Sequence, residues 1–414
     1  MPSLTVKDHS VPHISTLPTI PPSPGQTVQL FVREYRKTGG PQPPPVLMLH
    51  GRSVPAVAGF DLVIPGSGGS DIRYSWAQQL AQHGFDVFLM DLQGSGRTPR
   101  PLPMDQPCNA NPAQQESVLV PNPLSAKCAP PYGYQLGNSE SEEAEVDTVV
   151  KFIKTQTGTT GPIDFVGWSA GALVMGPYTL KHPENVKSLF LLAPIFPPKG
   201  RWSGDAMNPF GRPSEAAVLP LSTPALTFGF PMHVASKTGF KIGWDKEQAS
   251  PLQREPDMGD IVWDAMMAND ALGSTWGPIP PGGTAEGVLR YRNTYWWGWN
   301  NHTVPLKDAS GTYILGDRVP VMIVYGETDR TANTPPAPPL PDVLTFSVPG
   351  LYKAIPGPKK LMFELADAGH SVVWERPAKV VQHMSMQWFD KHRVEDQTSG
   401  SFYRDDDGLL TQLD

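Results

Sequence analysis

Short apolar runs recur along the chain, separated by stretches in which apolar residues return every three or four positions. Residues 45–50, 85–91, 163–168, 186–192 and 319–326 are apolar almost throughout and too short for helices. That is the pattern of strands buried on both faces. Residues 28–35 alternate loosely and predict an edge strand, and residues 359–365 predict the last strand of the series. Helical periodicity fills the gaps. Residues 76–83 predict a short helix stopped by Gly84. Ser139-Glu140-Ser141-Glu142 fits a capping box ahead of Val146, Val149, Val150 and Ile153 on one face. A helix is predicted from about Ala170 to Leu180, and Pro377 opens another that carries Val380, Val381, Met384 and Trp388 on one side. Strand and helix alternating over short links predict an α/β fold: a mostly parallel central sheet with helices on both faces.

Two stretches break the alternation. Residues 93–138 predict a loop insertion, and residues 197–318 are rich in Pro, Gly, Met and Trp with few strong strands. The chain divides accordingly into an N-terminal arm (1–27), a core (28–196) that carries the first insertion, a second insertion (197–318), the rest of the core (319–393) and a C-terminal tail (394–414). The arm is expected to lie over the surface and the tail, with its run of aspartates, to be solvated and loosely attached.

Composition narrows the field by exclusion. The 414 residues suffice for a large core. No apolar run reaches the length of a membrane span. The net charge of −7 comes without a basic block or helix, so nothing predicts a nucleic-acid partner. Neither a metal-ligand spacing nor a glycine-rich dinucleotide turn occurs, so no metal and no cofactor is expected. The two cysteines, Cys108 and Cys128, share the first insertion. A disulfide there would pin an irregular segment and favour a secreted or periplasmic mature form over a cytoplasmic one. The N-terminus itself lacks the apolar core of a signal peptide. Asn301-His302-Thr303 is a glycosylation sequon. Nothing in the sequence bears on oligomeric state.

The chemistry concentrates at Gly167-Trp168-Ser169-Ala170-Gly171. A serine between glycines, preceded by a buried strand and followed by a helix, fits a sharp turn that lifts its hydroxyl above a sheet. Serine is a weak nucleophile until a histidine takes its proton, and the chain has ten histidines.

Together with His50-Gly51 after one strand, Asp91–Arg97 after the next, Gly326-Glu327-Thr328-Asp329 after a late strand and Gly369-His370 near the end, this pentapeptide resembles the α/β-hydrolase fold superfamily, and within it the serine esterases and lipases. The similarity spans residues 28 to 393 apart from the two insertions. It implies Ser169 as nucleophile, His370 as base and Asp329 as the acid behind it, with Glu327 as the alternative acid. The backbone N–H groups of Ala170 and Arg52, or of Ser53 after it, would form the oxyanion hole. His50, Asp91 and Arg97 would shape turns, and His302, His383 and His392 are poorer candidates for the base. Residues 197–318 occupy the place of a cap. Their tryptophans suggest a pocket for a bulky apolar or aromatic group, with Trp168, Trp296, Trp297 and Trp299 as candidate lining residues. The implied partner is a small-molecule carboxylic ester or lactone. An amide or peptide hydrolase, or a ligand-binding receptor on the same scaffold, would share these features.

Overall fold

A computed structural model describes residues 3–16, 25–39, 41–52, 54–66, 69–212, 230–336 and 338–413. Its centre is a ten-stranded sheet. In chain order the strands are β1 (Leu4–Ile14), β2 (Thr27–Lys37), β3 (Pro45–Leu49), β4 (Asp86–Met90), β5 (Ile163–Trp168), β6 (Val186–Leu192), β7 (Val321–Gly326), β8 (Lys360–Leu365), β9 (Gly400–Arg404) and β10 (Leu410–Gln412). Across the sheet the order is β1-β2-β4-β3-β5-β6-β7-β8-β9-β10. The span from β4 to β9 is parallel, and the antiparallel pairs lie at the two ends. The fold is the α/β-hydrolase arrangement that the resemblance implies.

Both faces of the sheet are covered, which is why its strands are apolar throughout. Alternate residues of β6 enter opposite cores, as the two-residue period of a strand requires. Phe190 and Leu192 join Trp76, Trp374 and Trp388 on one face; Leu189 and Leu191 join Val149, Tyr178 and Trp299 on the other. Helices Trp76–His83 and Ala378–Lys391 cover the first face, and helices Ser139–Thr157 and Ala172–Lys181 the second. Helix Trp76–His83 starts where the Ser75 hydroxyl accepts from the N–H of Gln78 and stops at Gly84, whose φ is +125°.

Five expectations are corrected. The N-terminal segment is not draped over the surface, because β1 pairs along its whole length with β2, which removes β2 from the edge. The tail is not loose, and residues 359–365 are not the last strand. β9 pairs in parallel with β8, β10 closes on β9, and Phe402 stacks on Phe363 at 5.6 Å. The helix expected to be capped by Ser139 is capped one residue earlier. Asn138 accepts from the N–H of Ser141, and the Ser141 hydroxyl accepts from the N–H of Asn138. This frees Glu142, which turns inward beside Glu145, and both accept from the Arg292 guanidinium.

The two insertions pack on each other. Strands Met232–Ser236 and Val288–Arg292 pair antiparallel, and Ala110 bridges to Met232. Met104, Leu119 and Leu136 from the first insertion share a small core with Met232, Trp276 and Val288 from the second. Cys108 and Cys128 form a disulfide, and the Gln115 side chain fills the loop it closes, bonding the carbonyls of both cysteines. Among the described residues, no helix is long and apolar enough to cross a membrane.

Candidate active site

β5 delivers Ser169 to the C-terminal edge of the sheet. Its backbone there has φ +55°, the left-handed region that side chains avoid. The turn closes because its neighbours are glycines. A Cβ on Gly171 would sit 2.8 Å from the Leu49 carbonyl oxygen, and one on Gly167 would press on the Gly171 backbone at 3.2 Å. The Ser169 carbonyl accepts from the N–H of Ile195, which ties the turn to the segment after β6.

Loops after β7 and β8 bring the other two groups. Asp329 follows a tight turn in which its N–H donates to the Gly326 carbonyl. Its Oδ1 accepts from the N–H groups of Thr331 and Ala332, so the carboxylate is fixed before it meets the histidine. His370 Nδ1 lies 3.1 Å from both Asp329 carboxylate oxygens. With Nδ1–H donating to them, Nε2 is left as an acceptor, and the Ser169 hydroxyl lies 2.7 Å away. Burial pushes the His370 imidazole down. The carboxylates of Asp329, Glu247 and Glu375 outweigh it, and the net position is above the ordinary histidine value.

The structure brings Ser169, His370 and Asp329 together, and it does not bring Glu327. That side chain is exposed on the far side of the turn, where it accepts from the Tyr403 hydroxyl. Ala170 and Arg52 both line the cavity that opens beside Ser169. A Cβ on Gly51 would lie 3.1 Å from the Ser169 Cβ, so the chain leading into Arg52 runs against the serine. Ser53 falls outside the described residues. His50 accepts from the N–H of Leu92 through Nε2 and contacts its neighbouring carbonyl through Nδ1, and Asp91 accepts from the N–H groups of Ala56 and Arg97. These contacts hold turns.

The cavity has a volume of about 180 Å³. Its floor is Ser169, Ala170, Leu173 and Ile195, and one wall comes from Pro197, Gly200, Arg201, Thr294 and Trp296. The lining also includes Val343, Leu344 and Phe346, which follow the loop of Asp329 and were not singled out in the sequence. Of the four tryptophans expected there, only Trp296 lines it. Its indole N–H donates to Glu142, and the Arg52 guanidinium stacks on its ring. Trp168 lies beneath the site, edge-on to Trp374, and donates to the His370 carbonyl. Trp299 is core, packed on Phe196 and against Gly176, and Trp297 packs with Tyr295 and over Gly211. An aromatic count marks a tryptophan-rich segment but not which rings face inward.

Two buried glutamates were also missed. Glu375 accepts from the Gly369 N–H and the Trp244 indole, and Glu247 accepts from the His370 N–H. Neither sits in a motif: Glu375 lies just past His370 in the loop after β8, and Glu247 reaches the site only because residues 244–253 pack on that loop.

The family model for the alpha/beta hydrolase fold matches residues 44–377. The chain belongs to the α/β-hydrolase fold family. Solved structures to which the chain is similar include esterases and a hydrolase, all at low identity. Naproxen esterase (carboxylesterase NP) from Bacillus subtilis is 17% identical, with a TM-score of 0.44 over 93% of this chain and 92% of its own. A thermophilic esterase from Thermogutta terrifontis is 14% identical, with a TM-score of 0.45 over 92% of this chain and 98% of its own. The 2-hydroxy-6-oxo-6-phenylhexa-2,4-dienoate hydrolase from Rhodococcus sp. strain RHA1 is 15% identical, with a TM-score of 0.46 over 93% and 100%. No curated protein sequence matches significantly.

Proposed function

We propose that this α/β-hydrolase cleaves carboxylic esters, lactones included, through an acyl-enzyme on Ser169. The observation that carries the reading is the unbroken relay: Ser169 Oγ to His370 Nε2 at 2.7 Å, and His370 Nδ1 to Asp329 at 3.1 Å. In this mechanism His370 takes the serine proton as Oγ attacks the carbonyl carbon, then gives it to the leaving alcohol. Water, deprotonated by the same imidazole, attacks the acyl-enzyme and releases the acid. Asp329 keeps the imidazole in the tautomer that accepts from serine and stabilises the imidazolium. The N–H groups of Ala170 and Arg52 stabilise the oxyanion, Ala170 standing at the positive end of helix Ala172–Lys181.

The walls of the cavity support a compact apolar group on the substrate. A dry cavity of about 150 Å³ lined by aliphatic and aromatic side chains accepts a benzene ring. The 180 Å³ beside Ser169 therefore suits a single ring or a short branched acyl chain. Residues 197–318 act as a cap in this reading, since Trp296 and its neighbours form one wall. The Cys108–Cys128 disulfide fits an oxidising compartment.

The test is a series of p-nitrophenyl esters of rising acyl bulk, with matched anilides. We expect kcat/KM to peak at a butyrate- or benzoate-sized group and fall for two fused rings, with esters preferred over anilides. Ser169→Ala should lower kcat by at least about 10⁴-fold. Full activity in that variant contradicts the reading, and a preference for anilides makes the protein an amidase of the same mechanism.

A further inference from the structure

We propose that Glu247, carried by the inserted segment 197–318, is a positioning residue of the hydrolytic site: its one carboxylate holds the turn that presents Asp329 and the turn that presents His370 in a single register. The proposal rests on the reading of Ser169, His370 and Asp329 as the reacting groups.

Glu247 is only 5% exposed and all of its polar partners are donors. Oε1 accepts from the N–H groups of Arg330 and Thr331, both at 3.0 Å, and from the Thr331 hydroxyl at 2.8 Å. Oε2 accepts from the N–H of His370 at 2.9 Å. The residues it grips are thus the two that follow Asp329 and the histidine itself. Its own main chain is anchored in the same place, because its carbonyl accepts from the Thr328 hydroxyl and from the Gln253 side chain. Only an acceptor without protons satisfies this set. A glutamine would turn an NH₂ toward the N–H of His370, and an alanine would leave buried donors unpaired.

The same carboxylate faces the imidazole electrostatically. The groups around His370 are the Ser169 hydroxyl and the carboxylates of Asp329, Glu247 and Glu375. Glu247 adds to Asp329 in holding the imidazole above its ordinary value against burial. Removing its charge should therefore move the acid limb of the pH–rate profile to lower pH. Glu375 is itself pushed up to about 7 by burial, so the shift must persist in a Glu375→Gln background.

The experiment measures kcat, KM and the acid limb for Glu247→Gln and Glu247→Asp, with kcat counted per site titrated by a fluorophosphonate. For Glu247→Gln we expect kcat to fall between about tenfold and hundredfold, the scale of a small misplacement of reacting groups, with KM little changed and the limb moved to lower pH. Glu247→Asp, which keeps the charge but retracts it, should show the wild-type limb with kcat still reduced. If the glutamine variant does not fold, the aspartate variant carries the test through its reduced kcat at unchanged KM. A residue that merely stabilises the fold would lower the number of titratable sites but leave kcat per site and the limb unmoved, and that result overturns the proposal. Ser169→Ala is run alongside. If it keeps turnover, the hydrolase reading has failed; if it is inactive while Glu247→Gln matches wild type, only this inference has failed.

Discussion

Ser169 holds a left-handed backbone that costs an ordinary residue about 1–2 kcal/mol. The cost is met by contacts that leave the turn no alternative: glycines where the main chain closes on itself, and the Ile195 N–H on the serine carbonyl. Asp329 is held in the same way, by backbone N–H groups that fix its carboxylate beside His370. Asp329→Asn should therefore lower kcat by about 10⁴-fold, because an asparagine presents the wrong tautomer to the imidazole, whereas Glu327→Gln should leave kcat unchanged; steady-state assays on one p-nitrophenyl ester check both. His370 gives the pH dependence. Its raised position means that its charged form is stabilised in the folded protein. That contribution to stability is complete below the ordinary histidine value and is lost as pH rises through the folded value. In the proposed mechanism activity runs the other way, since His370 must be neutral to act as the base. The acid limb of kcat/KM should have its midpoint above about 6.5, the ordinary value, and a midpoint below it would mean that burial outweighs the carboxylates.

Among elements, those with strong local signals were legible in the sequence. β3 through β8 are apolar runs bounded by turn residues, and helix Trp76–His83 carries its own stop in Gly84. The edges were not. β1 and β10 are mostly polar on their exposed sides, so nothing local separates them from a solvated arm and tail, and only pairing with a neighbour makes them strands. β9 has its signal in Phe402, which is buried only because Phe363 waits across the ladder. The site was legible for a related reason. Ser169, His370 and Asp329 each follow a strand that the sequence reveals, whereas Glu247 and Leu344 lie in segments with no period and reach the site by long-range packing. The tail makes a prediction of its own. Truncation after Arg393 removes β9 and β10 and exposes the edge of β8. It should lower the unfolding free energy by at least about 2 kcal/mol, the value of burying one large apolar side chain, as read from denaturant melts; an unchanged midpoint would mean the tail is as loosely held as its composition suggests.

At the scale of the whole molecule, the sheet, the segment after Asp329 and the second insertion converge on a cavity. The sheet supplies the floor with Ser169. The segment after the acid loop supplies Val343, Leu344 and Phe346. The second insertion supplies Trp296, whose indole is fixed by Glu142, which is in turn paired with the buried Arg292. The first insertion takes no part in the lining but braces the second through their shared core, and the Cys108–Cys128 disulfide closes a loop within the first. In the proposed reading, substrate size is set by residues that the serine motif does not predict, while the chemistry is set by the motif. The most direct measurement is therefore on the covalent intermediate itself. The protein is mixed with a p-nitrophenyl ester of preferred size, quenched in acid within the first turnover, and mapped by peptide mass. The expected result is one acyl group per chain, carried on Ser169, with none in Ser169→Ala. Turnover with no acyl group on Ser169, or with the acyl group on another residue, would contradict the assignment.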